Sequence, residues 1–162
     1  MSPDEINIIN FIAESHILEF QMYIRGHLYL EALLGEMIQR KDSNIKPKTI
    51  DTFHKKIIIA EKLMLIDNSE KDLLNSYNQV RNKIAHDFKF KFDFDIFFDL
   101  AQKAGIAGVD FSDETIYENK ELSQDWYDIS GIINEVVVNT FFHLVYRNQE
   151  LFPDDDVHRF LC

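Results

Sequence analysis

The sequence predicts an all-α fold, an up-and-down helical bundle of four to five helices in one domain spanning residues 1–162. Apolar residues recur mostly at three- and four-residue spacing, as on one face of a helix. Only five glycines and three prolines interrupt the chain, and 46% of its residues are apolar, which suits a compact core. The joints between periodic segments are short, as in helical bundles.

Two helices are predicted in the first quarter of the chain. The residues "SPDE" at positions 2–5 indicate a helix start, because a serine cap, an early proline and acidic residues all favour the first turn. A longer helical pattern extends from about Ile17 to Arg40, with apolar residues near a 3.6-residue period. The polar, turn-prone stretch "KDSNIKPK" ends this helix.

Two further helices, and an extended link that leads into a third, are predicted in the central part of the chain. One helix is expected from Thr52 to Leu63, and after a turn Ser69 is expected to cap the helix "EKDLLNSYNQVRNKIAH". The alternating "FKFKF" at positions 88–92 is interpreted as a brief extended link. It leads into a short helix that starts at Asp93 or Asp95 and ends near Gly105.

The last quarter of the chain combines an irregular segment with a long helix. Residues 106–122 are acidic and without clear periodicity, and a final helix is expected from about Asp125 to Arg147. Its β-branched run "GIINEVVVNTFF" favours a strand locally. The length of the run and its polar interruptions favour a buried helix instead.

The charge distribution limits the classes of partner that the protein is expected to bind. The formal net charge is −11, which disfavours general binding to nucleic acid. Between Arg40 and Lys91, however, there are 12 basic and 7 acidic residues, so this is the only net-basic part of the chain. The lone Cys162 excludes an internal disulfide, and no leader or apolar run of about 20 residues is apparent. These features predict a cytoplasmic protein that does not enter a membrane.

The stretch "NQVRNKIAHDF" at positions 78–88 lies in this basic part and carries the candidate catalytic residues Arg81, Asn82 and His86. Asn82 and His86 are i,i+4 neighbours on a helix, and the long stem of Arg81 can bring its guanidinium towards them. Histidine exchanges a proton near neutral pH, and arginine can bind two phosphate oxygens. These groups suit cleavage of RNA by its own 2′-hydroxyl, a reaction that requires no metal or other cofactor.

A purely structural interpretation of the same residues is open. Cations near a helix C-terminus are stabilised by the helix dipole, and an arginine and a histidine five residues apart often occur by chance. Lys83 and Lys89 could bind the substrate phosphates, but solvated surface lysines are commoner. From spacing alone, the structural interpretation is favoured.

A family resemblance shifts this balance. The sequence "VRNKIAH" resembles the arginine–polar–x–x–x–histidine signature of the HEPN superfamily (higher eukaryotes and prokaryotes nucleotide-binding domains). The segments "RGHLYLEALLGEMI" and "FHKKIIIAEKLMLIDNSEKDLLNSYNQVRNKIAH" resemble the helices that precede and carry this motif. The second segment is similar to the branch that contains the mannitol-operon repressor proteins. The resemblance covers about residues 20–90, and the final helix matches only loosely.

The resemblance implies an all-α homodimer in which the motifs of two chains face each other. Many members of the superfamily are metal-independent endoribonucleases of toxin–antitoxin, abortive-infection or antiviral systems, so RNA and a cognate antitoxin or regulatory protein are the expected partners. Arg81, Asn82 and His86 match the motif positions. The alternative is a non-catalytic regulatory or interaction protein, because members of the repressor-like branch do not reliably keep the histidine.

Other candidate residues have simpler explanations. The six histidines form no pair with metal-ligand spacing, and His27 and His143 are expected to be partly buried packing residues. A cluster of phenylalanines follows His86, and it could stack on bases or could close the bundle or a dimer interface; the structural role is the commoner one. Glu31 could orient His86 from a neighbouring helix, although a solvent-facing carboxylate is the expected state. The phenylalanine cluster comprises Phe88, Phe90, Phe92, Phe94, Phe97 and Phe98.

Overall fold

The computed structural model describes residues 17–87 and 89–153. All regular structure in these residues is helical, so the predicted all-α bundle is confirmed. This part of the chain contains six α-helices, rather than four or five, one of them a single turn, and a short 3₁₀ helix at Pro47–Ile50. The predicted helix start at positions 2–5, like Phe88, lies outside the described residues. The helices are α1 (Ile17–Lys41), α2 (Phe53–Lys62), α3 (Asn68–His86), α4 (Phe94–Ile106), α5 (Thr115–Glu118) and α6 (Lys120–Leu151).

Helices α1, α2 and α4 begin and end within two residues of the predicted positions. Thr52 caps α2, and its side chain accepts a hydrogen bond from the backbone N–H of Lys55 at 3.3 Å. Asp93 caps α4 in the same way, with the backbone N–H of Asp95 as donor at 3.0 Å. The link before α4 forms no strand among its described residues. Short polar caps therefore set the starts of α2 and α4, and Asp93 was one of the two caps predicted for α4.

The start of α3 differs from the prediction. Asp67, not Ser69, is the N-cap, and its Oδ1 accepts a hydrogen bond from the backbone N–H of Glu70 at 2.9 Å. In turn, Glu70 Oε2 accepts a hydrogen bond from the backbone N–H of Asp67 at 2.7 Å. This reciprocal capping box satisfies two backbone donors at once, whereas a cap at Ser69 would satisfy one. The helix therefore begins at Asn68 and leaves Ser69 inside its first turn.

The segment expected to be irregular contains the single-turn helix α5 and the start of α6. Helix α6 is longer than predicted and includes the β-branched run, which confirms its assignment as a helix. Asp128 interrupts it with φ 51° and ψ −169°, outside the helical region. Its Oδ1 accepts a hydrogen bond from the backbone N–H of Gly131 at 2.9 Å, so Asp128 acts as an internal cap where the helix resumes.

The core is formed mainly by α1, α4 and α6, with α2 and α3 packed against α1. Two buried tyrosines connect three helices through stacked rings whose centroids are 5.7 Å apart. The Tyr23 hydroxyl donates to the Tyr77 carbonyl at 2.9 Å, and the Tyr77 hydroxyl donates to Thr140 Oγ1 at 3.2 Å. Because both hydroxyls are hydrogen-bonded, these large rings are buried without an unsatisfied polar group.

The phenylalanines after His86 serve the core. Phe94, Phe97 and Phe98 are buried, and Phe92 stacks on Phe97 with ring centroids 5.8 Å apart. Phe90 is partly buried and packs edge-on against Phe92. The described members of the cluster therefore close the bundle, as the structural interpretation predicted.

Helix α6 is long and apolar enough, by length and composition, to cross a membrane. The core helices of soluble bundles share these properties. In this structure α6 contacts α1, α4 and α5, and Ile132, Ile133 and Val136 are buried among them. One side of α6 therefore packs in the core, while Trp126, Phe142 and Tyr146 are exposed on it.

The close approach of α1 and α6 depends on Gly26. This glycine is buried, and a methyl group added at its Cα would lie 2.1 Å from Val137 Cγ1. Such a contact is far below a van der Waals distance, so any side chain at position 26 would push the two helices apart or displace Val137.

We expect Gly26→Ala to destabilise the protein by roughly 2 kcal/mol, because overpacking outweighs the gain of about 1 kcal/mol in helix propensity. Urea unfolding followed by circular dichroism measures the change. The double variant Gly26→Ala/Val137→Ala should lose less stability than the sum of the two single variants, since alanine at 137 removes the clashing methyl groups.

Gly35→Ala is the matched control for this prediction. Gly35 lies in the same helix, and a methyl group there would meet only the Lys56 side chain, whose Cε would be 3.3 Å away. Because that atom belongs to a flexible side chain, we expect Gly35→Ala to leave stability unchanged or to raise it slightly. Equal losses at positions 26 and 35 would contradict the close packing described here.

Candidate functional site

The three motif residues lie in the last two turns of α3, where the sequence placed them. Arg81 is partly buried, and its Nη1 donates a hydrogen bond to Asn82 Oδ1 at 3.1 Å. Asn82 is exposed and lies one helical turn before His86, on the same face. His86 is the last residue of the helix and is exposed; it forms no hydrogen bond or ion pair with the described residues. The imidazole is thus open to solvent.

Arg81 and Asn82 line a pocket of about 360 Å³ between α1, α2 and α3, hereafter the Arg81 pocket. This volume lies in the lower part of the range typical of small-ligand sites. His86 does not line the pocket. The structure therefore brings two of the three motif residues to the same concave surface and leaves the third beyond its edge. The other residues that line the pocket are His27, Glu31, Asp51, Thr52, Phe53, His54 and Asn78.

The two carboxylates of the Arg81 pocket are each neutralised by a lysine. Glu31 Oε1 lies 2.7 Å from Lys56 Nζ, and Asp51 Oδ1 lies 2.7 Å from Lys55 Nζ. The hydrogen bond from Lys55 and then its charge lower the pKa of Asp51. Arg81 forms no ion pair with a carboxylate in the described part of the chain. One positive charge is therefore left at the pocket of a protein whose net charge is −11.

His27 forms part of the inner wall of this pocket. It is only 2% exposed, its ring packs edge-on against Phe53 at a centroid distance of 4.5 Å, and its Nε2 has no hydrogen-bond partner among the described residues. Burial lowers the pKa of His27 to about 4. Glu31 opposes this shift, and the positive charge of Arg81 reinforces it. His27 is consequently an uncharged imidazole at neutral pH.

The role expected for His27, burial among packing residues, is confirmed, but its place in the same pocket as Arg81 was not predicted. The prediction for Glu31 was wrong. Only 23% of its side chain is exposed, and it is held by Lys56 instead of facing solvent freely. His27 and Glu31 are i,i+4 neighbours on α1, and this spacing was the available signal that they share a face.

The two candidate phosphate-binding lysines lie outside the Arg81 pocket. Lys83 is exposed and lines a groove between α3 and α4, where Lys103 and two aspartates are its neighbours. Lys89 is exposed beyond the end of α3, and its backbone N–H donates to Asp87 Oδ1 at 2.9 Å. Both lysines are exposed to solvent, and neither lines the Arg81 pocket.

Within residues 17–87 and 89–153, no three histidine, cysteine, aspartate or glutamate side chains come close enough to hold a metal ion. No protein-family model, curated protein or solved structure matches the chain. The site therefore has to be interpreted from its own geometry and from the motif.

We expect His27 to make the protein less stable in mild acid. The unfolded imidazole binds a proton below about pH 6.5, but the folded one does so only near pH 4, so stability falls as the pH decreases between these values. Between pH 7 and pH 5 the loss from this group is about 2 kcal/mol. Urea unfolding at both pH values should show a smaller loss for His27→Leu than for the wild-type protein, because leucine does not titrate. The same pH dependence in both proteins would contradict a buried neutral His27.

Proposed function

We propose that the protein is a cytoplasmic, metal-independent endoribonuclease of the HEPN type that acts as a homodimer. One observation carries this proposal: Arg81 is held by Asn82 at the edge of a pocket, while His86, one turn after Asn82, is exposed and unbonded within the described residues. A cation that served only to stabilise the helix end would not need to line a pocket, as Arg81 does.

The chemistry assigned to these residues is an internal transesterification of RNA. The 2′-oxygen forms a bond to phosphorus as the bond from phosphorus to the 5′-oxygen breaks, which yields a 2′,3′-cyclic phosphate and a 5′-hydroxyl. His86 accepts the proton of the 2′-hydroxyl and then donates it to the departing 5′-oxygen. Arg81 stabilises the negative charge that develops on the phosphate oxygens, and Asn82 orients Arg81. Lys83 and Lys89 bind phosphates on either side of the cleaved bond.

The position of His86 favours a site shared between two chains. Within one chain Arg81 lines the pocket and His86 lies beyond it, so a second chain that faces the end of α3 can place its own His86 beside Arg81. Exposed apolar residues on α1 and α6 also indicate self-association, but those that line a groove lie between α1 and α6 and not in the Arg81 pocket. We therefore assign the shared site to contacts around the end of α3. A cognate antitoxin or regulatory protein would act by covering the same region.

A non-catalytic binding protein is the second candidate function. The observation that favours it is the absence of His86 from the Arg81 pocket, because a pocket with Arg81 alone can bind a phosphate without cleaving it. The two functions differ in whether RNA is cut and in whether His86 matters.

We expect the wild-type protein to cleave single-stranded RNA in the presence of EDTA. His86→Ala should lower the rate at least about 100-fold, since it removes the proton-transfer group. Arg81→Ala should lower the rate by a similar factor, because the charge on the phosphate is no longer stabilised. Gel electrophoresis of labelled RNA measures the rates, and analysis of the ends identifies the cyclic phosphate.

Arg25→Ala provides the control for loss of a surface arginine. Arg25 is exposed on α1 and lines a different groove, between α1 and α6, so its removal should leave the cleavage rate unchanged. Undiminished cleavage by His86→Ala would exclude His86 from the reaction, and RNA binding without cleavage by any of these proteins would support the binding protein.

Mixing two inactive variants tests the shared site. If Arg81 of one chain acts with His86 of the other, mixed dimers of Arg81→Ala and His86→Ala contain one complete site, and the mixture should recover roughly one quarter of the wild-type rate. If both residues act within the same chain, no activity returns. Light scattering of each variant checks that dimers form, and a monomer at the assay concentration would contradict the proposal.

A further inference from the structure

The Arg81 pocket contains a second set of polar groups that the cleavage reaction does not use. Glu31 and Asn78 line it together with Arg81, and they come from helices that are far apart in the sequence. Pockets that combine a carboxylate, an amide and a cation on a partly apolar wall are suited to fix the orientation of a flat polar ligand. The hydrogen bonds that Glu31 can still accept indicate which ligand fits the pocket.

Glu31 is held in place through only one of its oxygens. Its Oε1 pairs with Lys56 Nζ at 2.7 Å, and the side chains are 23% and 16% exposed. The stem of Lys56 runs past Gly35, with its Cε close to the space that a side chain at 35 would fill. Oε2 of Glu31 accepts no hydrogen bond from the described residues. A carboxylate fixed in this way can receive donors from a ligand with little loss of side-chain entropy.

Among the four RNA bases, guanine matches such a carboxylate best. Its Watson–Crick edge carries two adjacent donors, N1–H and the N2 amino group, whereas adenine, cytosine and uracil each carry a single donor group there, next to at least one acceptor. A carboxylate accepts hydrogen bonds only, so it favours the edge with two donors. The neighbouring O6 of guanine is an acceptor and requires a donor, which the amide of Asn78 or the guanidinium of Arg81 can supply.

We infer that the Arg81 pocket binds a guanine base whose attached phosphate is held by Arg81. Glu31 accepts the hydrogen bonds from N1–H and the N2 amino group, and the exposed ring of His54 lies at the pocket for stacking on the base. As a preference for cleavage next to guanosine, this inference rests on the proposed function. As a binding site it does not, because a free guanine nucleotide presents the same chemistry.

Isothermal titration calorimetry with mononucleotides tests the pocket without requiring cleavage. The probes are the 3′-monophosphates of guanosine, inosine, adenosine, cytidine and uridine. We expect the guanosine nucleotide to bind best and the inosine nucleotide, which lacks the N2 amino group, to bind about 10-fold more weakly. Adenosine, cytidine and uridine nucleotides should bind at least about 10-fold more weakly than the guanosine nucleotide. Equal affinity for guanosine, inosine and adenosine nucleotides would overturn the inference.

Glu31→Gln tests whether Glu31 is the residue that recognises guanine. The variant should bind the guanosine nucleotide at least about 10-fold more weakly, and it should no longer prefer the guanosine nucleotide over the inosine nucleotide. The glutamine NH2 group is a hydrogen-bond donor, so it would face N1–H or the N2 amino group, which are donors themselves. Glu61→Gln is the matched control, since Glu61 forms an equivalent ion pair with Lys71 at 2.8 Å and does not line the Arg81 pocket. Unchanged nucleotide preference in Glu31→Gln would overturn the role of Glu31.

RNA substrates separate this inference from the proposed function. Oligonucleotides that contain a single guanosine should be cut next to it by the wild-type protein, and oligonucleotides without guanosine should be cut at least about 10-fold more slowly. Cleavage without base preference, together with no selective binding of the guanosine nucleotide, would overturn the inference and leave the endoribonuclease in place. Selective binding of the guanosine nucleotide without any cleavage would reject the endoribonuclease and support the pocket as a site for a free guanine nucleotide.

Discussion

The position of the candidate site depends on the carboxylate of Glu70. This buried side chain uses Oε2 to close the capping box with Asp67 and Oε1 to bind His143 Nε2 at 2.7 Å, so the start of α3 is joined to α6. Two turns later, the hydrogen bond from Tyr77 to Thr140 joins the same two helices again. Both attachments involve groups that are buried or partly buried, where an unpaired partner would be costly. Helix α3 is therefore fixed along its length, and its last turn presents Arg81 at a defined place.

Much of the fold could be predicted because local signals agree with the global packing. The apolar period identified α1, α3 and α6, and polar caps at Thr52 and Asp93 set two boundaries. The wrong cap for α3 arose because Ser69 is a favourable capping residue on its own, whereas the capping box requires both Asp67 and Glu70. The break at Asp128 could not be inferred, since no proline or glycine lies at that position.

The candidate site was predictable only in the part that lies within one helix. Arg81, Asn82 and His86 form a local motif, and the structure confirms their place in the last turns of α3. The pocket beside them is built from α1, α2 and α3, and its composition depends on tertiary packing, which a local pattern does not encode. The charge of the pocket could not be predicted either, because the ion pair between Glu31 and Lys56 joins residues that are 25 positions apart in the sequence. A net charge of −11 describes the whole chain and not this surface.

The contact between Gly26 and Val137 also sets the rotation of α1 about its own axis. Because successive residues of a helix are about 100° apart, placing Gly26 against α6 also determines which residues of α1 face α2 and α3. His27 and Glu31 lie on the side of α1 that lines the Arg81 pocket. The rotation of α1 about its axis thus determines both its core contacts and the residues that it places in the pocket. A substitution that rotates the helix in the core would therefore also move the pocket residues.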